Sequence, residues 1–151
     1  MRILNTLFTV TTLAFGASAA AHAVVRTELG ATESALGATE MYRLQVPNES
    51  AATSATTQVR MLLPAGFVLS RTLQAPGWKR TFEKDAAGKI TAVVWTGRIE
   101  PQEIARFYFQ GANPKEAAQL TWKVYQKYAD NTVTAWDDAN KDFPASSTTV
   151  K

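Results

Sequence analysis

The chain has 151 residues with no cysteine and one histidine, and its 16 basic and 13 acidic side chains give a formal net charge of +3 at pH 7. Without cysteine there can be no disulfide, no thiolate nucleophile and no thiolate metal site. Basic residues are interspersed with acidic ones along the sequence, a pattern typical of a solvated surface rather than of a nucleic-acid-binding stripe. We therefore expect no nucleic-acid partner.

Residues 1–21 have the order of parts found in a secretory signal peptide. Arg2 supplies an early positive charge, an apolar stretch follows from Ile3 to Phe15, and small residues fill the positions up to Ala21. The apolar stretch is shorter than the roughly 20 residues that a membrane-spanning helix needs. We expect the mature protein to be exported to the periplasm, with no stable insertion into the membrane.

Two cleavage sites are compatible with this leader. Signal peptidase requires small residues at the first and third positions before the cut. A cut after Ala21 makes His22 the N-terminal residue, whereas a cut after Ala23 removes the histidine and leaves Val24 at the N-terminus. The local sequence permits both.

After the leader, short runs of alternating apolar and polar residues are separated by turn residues. In "MYRLQV", Tyr42, Leu44 and Val46 share one face, as expected for a strand with one buried side. The runs "TTQVRMLLP", "IARFYFQGA" and "QLTWKVYQKY" have the same pattern. "WKRTFEK" and "ITAVVWTG", on either side of the turn "DAAGK", predict a β-hairpin.

About eight or nine such strands, with almost no helical periodicity, predict an all-β fold, an immunoglobulin-like antiparallel β-sandwich. We expect one domain over residues 22–138, with Trp78, Trp95 and Trp122 contributing to its core. Residues 139–151, rich in serine and threonine, are expected to form a partly ordered C-terminal tail.

The single histidine, His22, restricts the available chemistry. A three-histidine zinc site, a two-histidine iron site and a cysteine–histidine dyad are each impossible within one chain. A Ser-His-Asp triad would have to use His22, and no GxSxG motif accompanies it. No pair of carboxylates stands out from the solvated surface. We therefore expect a protein that is not an enzyme.

An N-terminal His22 would supply two metal ligands from one residue. Its free α-amine and the imidazole Nδ1 can close a six-membered chelate ring around a metal ion once both have lost their protons. Nitrogen and oxygen ligands in a tetragonal arrangement favour Cu(II), which also heads the affinity order of the divalent ions. Such a site would need a carboxylate nearby to balance the charge.

Landmarks downstream of His22 resemble, in order and spacing, the YcnI-like copper-binding domain family. They are "YRLQVPNE", "TTQVRMLLPAGF", "PGW", "VVWTGRIEPQE", "FYFQGANP", "LTWKVYQKYAD" and "TAWDD". The resemblance runs from His22 to about Asp138. The sequence departs from the family pattern in lacking a proline about five residues after the histidine, and in its spacer "LGATESALGATE".

The resemblance implies an exported domain in which one histidine forms a copper brace. The implied metal site consists of His22, Glu49 in "VPNE" and Trp136 in "TAWDD", with Glu40 as the alternative carboxylate. Because an indole N–H is only a donor, Trp136 is expected to shield the ion. The implied role is copper delivery, storage or resistance, with periplasmic or membrane copper-transport proteins as possible partners.

Two other functions are compatible with the predicted fold or with an N-terminal histidine. A metal-free immunoglobulin-like module that binds a protein or peptide is favoured if the mature chain begins at Val24. A copper enzyme that uses a histidine brace is disfavoured, because such sites usually need a second histidine and this chain has none.

Overall fold

The computed structural model describes residues 22–49, 54–139 and 141–151. These residues form twelve β-strands and no helix, which confirms the predicted all-β class. Accordingly, none of them belongs to a helix with the length and apolarity to cross a membrane. The predicted signal peptide, residues 1–21, lies outside the described residues.

The first sheet has four antiparallel strands in the order β1-β3-β8-β5. Its strands are β1 (Val24–Thr27), β3 (Thr39–Pro47), β8 (Ile104–Ala112) and β5 (Val68–Thr72). Alternate residues of β3 are buried, as the sequence pattern of "MYRLQV" predicts: Tyr42, Leu44 and Val46 face the core. The intervening residues form the outer face of this sheet.

The second sheet has five antiparallel strands in the order β11-β10-β4-β7-β6. Its strands are β11 (Val133–Trp136), β10 (Val124–Tyr128), β4 (Thr56–Leu62), β7 (Ile90–Ile99) and β6 (Lys79–Lys84). Strands β6 and β7 are the predicted hairpin. The single predicted strand "QLTWKVYQKY" is divided at Lys123, where the chain passes from the third sheet into this one.

The third sheet has three strands, β2 (Glu33–Ser34), β12 (Ser146–Val150) and β9 (Ala118–Trp122). Strand β12 lies within the segment expected to be a tail, and it pairs along its whole length with β9. Thr148 accepts a hydrogen bond from Trp122 Nε1 at 3.1 Å, and Val150 is buried in the core. The sequence pattern does not indicate a buried strand here, because two of its three buried positions, Ser146 and Thr148, carry small hydroxyl side chains.

An aromatic core lies between the sheets. Trp95 and Trp122 are almost fully buried, and Trp78 is partly buried against the same cluster, as predicted. Phe67 packs on Gly111 of β8, where a Cβ atom would lie only 2.6 Å from the Val68 carbonyl oxygen and would overlap the Phe67 ring. This close approach requires glycine.

The N-terminal strand β1 is held on both sides. It pairs with β3 through the register Val24↔Gln45, and the Val25 N–H donates a 2.8 Å hydrogen bond to Ser146 Oγ at the start of β12. Val25 is buried in the core. The end of the sandwich at which β1 begins is therefore well ordered by its neighbours.

Candidate functional site

His22 lies two residues before β1, at the end of the sandwich where β3 ends. Continuing the β1–β3 register from Val24↔Gln45 places His22 opposite Pro47, the last residue of β3. His22 is half-buried. The paired strand that follows holds the chain two residues beyond it.

Trp136 brings an indole ring against this histidine. It is the last residue of β11 and is 6% exposed, and its ring centroid lies 5.5 Å from that of His22 at an interplanar angle of 48°. Phe143 packs edge-on against the other side of Trp136, with centroids 5.2 Å apart. His22 and Trp136, two of the predicted site residues, are therefore in contact although they are far apart in the sequence.

The buried side chain of Gln126 on β10 positions the indole. Trp136 Nε1 donates a hydrogen bond to Gln126 Oε1 at 3.3 Å. Gln126 Nε2 in turn donates to the Pro47 carbonyl oxygen at 2.8 Å and to Thr56 Oγ1 at 2.7 Å. Since the indole N–H is occupied, Trp136 meets His22 with its ring carbons, in keeping with a shielding role.

Sequence reasoning missed Gln126. The alternation of "KVYQKY" places Val124 and Gln126 on the same side of the strand, so the glutamine falls at an inward position. A polar side chain at such a position must find hydrogen-bond partners inside the protein. This signal is present in the sequence, but it does not identify the partners.

Glu49 lies two residues beyond Pro47 and is exposed. The intervening residue, Asn48, is fully buried, and its side-chain amide donates 3.0 Å hydrogen bonds to the carbonyl oxygens of Ser54 and Ile99. Asn48 therefore anchors the chain as it leaves β3. Glu49 follows directly from this anchor, at the end of the sandwich that holds His22.

Glu40 lies toward the opposite end of β3, near its beginning. It pairs in register with Gly111, and its carboxylate accepts hydrogen bonds from Ser34 Oγ at 2.9 Å and from the Met41 N–H at 3.2 Å. The seven-residue separation from Pro47 corresponds to roughly 23 Å along a strand. The geometry therefore favours Glu49 over Glu40 as a neighbour of His22.

A groove opens beside His22, between β1 and β12. Its volume is about 380 Å³, and its walls include His22, Val24 and Arg26 from the N-terminal segment and Ser147 and Thr149 from β12. The N-terminal residues alternate along one side of β1, so the groove runs lengthwise from His22 toward Arg26. The histidine is thus reachable from outside along this path.

The loop after Trp136 is shaped by two aspartates. Asp137 Oδ2 accepts a hydrogen bond from the Tyr125 hydroxyl at 3.1 Å, and Asp138 Oδ1 accepts one from the Ala145 N–H at 2.8 Å. Burial, followed by the interactions with Asp137, raises the pKa of Tyr125 above its usual value. Both carboxylates thus bind groups of their own surroundings, Asp137 on the side of β10 and Asp138 next to the start of β12.

A conventional metal site is not present in the described ranges. In residues 22–49, 54–139 and 141–151, no three His, Asp or Glu side chains converge in a way that could hold a metal ion. His22 is the only histidine of the chain.

Sequence comparison identifies relatives of this chain. The model of the family described as "Domain of unknown function (DUF1775)" matches residues 22–150. The "Copper-binding protein CutI" of Bacillus subtilis (strain 168) is 32% identical over 141 residues, which cover 91% of this chain and 66% of that protein. The chain therefore spans slightly less than two thirds of this relative's length.

Structural comparison gives the same fold. An uncharacterized protein from Nocardia farcinica with an immunoglobulin-like fold superposes with a TM-score of 0.71 at 25% identity, covering 85% of this chain and 97% of that one. A cohesin module from a Clostridium perfringens family 33 glycoside hydrolase superposes with a TM-score of 0.58 at 12% identity, covering 86% and 94%. The immunoglobulin-like sandwich predicted from the sequence is thus confirmed.

Proposed function

The chain belongs to the DUF1775 family and is 32% identical to a protein named as copper-binding, and we propose that it binds copper at the His22 end of the sandwich. The observation that carries this proposal is the contact between His22 and Trp136 beside the end of β3. The relative's name supports the choice of copper, and the contact supports the choice of this end of the sandwich.

The proposed ligands are the α-amine and imidazole Nδ1 of His22, together with the Glu49 carboxylate. Two nitrogens and an oxygen suit Cu(II), and the negative carboxylate offsets part of the ion's charge. This arrangement is consistent with the lack of any cluster of three metal-binding side chains in the described ranges, because one residue contributes two donor atoms. It requires signal-peptide cleavage between Ala21 and His22.

Trp136 covers the proposed site and is not itself a ligand. Its N–H is donated to Gln126, and its ring carbons lie against the imidazole. An apolar ring in this place limits the access of water to one side of the ion and restricts the imidazole to few orientations. His22 would then be preorganised for metal binding, which reduces the entropy lost when the metal binds.

Copper is the cargo of the protein in this proposal, not a catalytic cofactor. A chain with one histidine offers no second imidazole to support an oxidative copper centre. The proposed role is delivery, storage or resistance in the periplasm, in exchange with periplasmic or membrane copper-transport proteins. The groove along β1 would give such a partner a path to His22.

The first test is the intact mass of the exported protein, followed by Cu(II) titration. We expect a mature chain that begins at His22 and binds one equivalent of copper. His22→Ala should weaken binding by more than about 100-fold, since the loss of a mere second-shell partner already costs 10–100-fold. Unfolding measurements should show a fold as stable as that of the parent, because His22 is outside the core cluster.

Two glutamate variants, one just after β3 and one near its beginning, test whether Glu49 is the carboxylate ligand. Glu49→Gln should weaken Cu(II) binding by about tenfold, because the amide keeps the shape but loses the charge. Glu40→Gln is the matched control and should leave the affinity unchanged, because Glu40 lies near the far end of β3. One tight equivalent of Cu(II) in His22→Ala, or a mature N-terminus at Val24, would refute the proposed site.

A further inference from the structure

The outer face of the first sheet gathers positive charge. The outward positions of the four strands hold four arginines and no lysine, aspartate or glutamate. Glu40 of β3 falls on the other side of the strand, with Tyr42. The four arginines are Arg26 on β1, Arg43 on β3, Arg71 on β5 and Arg106 on β8. We call this surface the arginine face. It is invisible in the linear sequence, where acids lie between these positions.

The register arranges the arginine face in three neighbouring rows across the strands. One row contains Val24, Gln45 and Arg106, the next contains Arg26, Arg43 and Tyr108, and the third contains Met41, Gln110 and Arg71. Rows that are two residues apart along a strand are separated by about 7 Å. Every row therefore carries at least one guanidinium, and all lie within a patch that one partner surface could cover.

Arg26 and Arg43 are directly opposite each other in the β1–β3 register. Like charges at directly opposed positions destabilise a sheet unless something offsets their repulsion. Arg43 Nε is in addition buried without a hydrogen-bond partner among the described residues. Isolated folding alone would not favour this arrangement, whereas an anionic group placed between the two guanidiniums would.

The arginine charges are not neutralised within the described part of the chain. Arg106 Nε donates to the neutral amide oxygen of Gln45 at 2.8 Å, and Arg26 Nη1 donates to the Val25 carbonyl oxygen at 2.8 Å. The ion pairs found in residues 22–49, 54–139 and 141–151 use other basic residues, namely Arg60, Arg98 and Lys151. The face therefore presents net positive charge to its surroundings.

The composition of the face fits a protein partner better than a lipid surface. Arginine, tyrosine and methionine are enriched in protein interfaces and lysine is depleted, and this face has arginine, Tyr108 and Met41 but no lysine. At its margins, Val68 and Ile104 are 55% and 57% exposed and add apolar area. Arginine forks also pair with carboxylates in a bidentate manner that lysine cannot match.

The arginine face is continuous with the His22 end. Val24 and Arg26 belong to the face and also line the groove that leads to His22. Pro47 and Ile104, paired in register, form the row next to Gln45 and Arg106 and lie opposite the extension of β1. A partner seated on the face would thus reach to within contact of the histidine.

We propose that the arginine face docks a protein that presents clustered carboxylates, and that this partner meets the His22 end of the sandwich. The docking step is inferred from the charge and the strand register of the first sheet. Only its link to copper exchange rests on the proposed function. The attraction is largely electrostatic, so binding should weaken steeply as the ionic strength rises.

The test uses a synthetic peptide of alternating glutamate and valine as the acidic probe, with the mature protein labelled for NMR. We expect chemical-shift changes on β1, β3, β5 and β8. The triple variant Arg26→Gln, Arg71→Gln and Arg106→Gln should bind the peptide at least about tenfold more weakly. Its matched control, Lys84→Gln, Lys89→Gln and Lys123→Gln, removes the same charge from other surfaces and should bind normally.

Three results would overturn the docking proposal. The first is an equal loss of peptide affinity in both triple variants, and the second is that the NMR chemical-shift changes fall on other parts of the domain. The third is tighter binding to vesicles of equal parts phosphatidylglycerol and phosphatidylcholine than to the peptide. Cu(II) titration of the same variants separates the two hypotheses. The arginine variant should retain copper, whereas a parent protein that binds the peptide but no copper would refute the proposed function and leave docking intact.

Discussion

At the scale of single residues, the His22 end depends on a buried amide. Gln126 receives the N–H of Trp136 and donates to Pro47 and Thr56, so one side chain joins β11, β3 and β4. Each of its three partners belongs to a buried residue. Removing the amide would take one hydrogen bond from each of these three buried groups, a larger loss than that of one hydrogen bond.

Gln126→Leu keeps the approximate volume and removes the polar network. We expect a loss of about 2–3 kcal/mol in the free energy of unfolding, because three buried groups each lose a hydrogen bond. Urea denaturation followed by tryptophan fluorescence measures this loss. Gln74→Leu, at an exposed loop position, is the control and should change stability by less than about 0.5 kcal/mol. Equal effects in both variants would mean that the network contributes nothing specific.

At the scale of elements, β8 is the strand around which the first sheet is built. It pairs with β3 on one side and β5 on the other, and its inward residues Phe107 and Phe109 carry part of the aromatic core. At Gly111 the strand leaves no room for a side chain, since the Phe67 ring occupies that space. The seating of Phe67 therefore depends on the absence of a single methyl group.

Gly111→Ala should destabilise the domain by about 1–3 kcal/mol, the usual range for overpacking a core. Calorimetry would record the lower unfolding temperature. The double variant Gly111→Ala with Phe67→Leu supplies the control, because the smaller side chain frees space for the added methyl. Its destabilisation should be less than the sum of the two single effects. Simple additivity would show that the two residues do not compete for the same space.

At the scale of the whole molecule, the first and last strands of the described residues, β1 and β12, lie side by side. Strand β12 pairs with β9 and β2, accepts the Trp122 N–H on Thr148 and receives the Val25 N–H on Ser146. It thereby connects the third sheet to β1, the strand that follows His22. The last strand is as much a part of the fold as any strand in the middle of the sequence.

Deletion of residues 146–151 should abolish cooperative unfolding, because it removes Val150 from the core and leaves the Trp122 and Val25 N–H groups without acceptors. Circular dichroism during heating provides the measurement. Deletion of Lys151 alone removes an exposed ion pair with Glu33 and one backbone hydrogen bond to the Ser34 carbonyl oxygen, and should leave a cooperative transition with a loss of at most about 2 kcal/mol. A sharp, parent-like transition in the longer deletion would contradict the assigned role of β12.

The sequence predicts those features that depend on local alternation. The strand "MYRLQV", the hairpin of β6 and β7 and the burial of Trp95 and Trp122 all follow from period-two patterns and turn residues. Strand β12 is missed because serine and threonine occupy two of its three inward positions. The arginine face and the Gln126 network are missed because they depend on register between strands distant in sequence, which no local pattern contains. The contact of His22 with Trp136 matches the resemblance-based site but could not be derived from the residues alone.

The bond between Val25 and Ser146 joins groups 121 residues apart. A ribosome adds Val25 long before Ser146, so a growing chain carries the histidine before the strand beside it exists. A chain that stopped short of Ser146 would hold His22 without this bond. The surroundings of the histidine are therefore built from segments that are translated far apart in time.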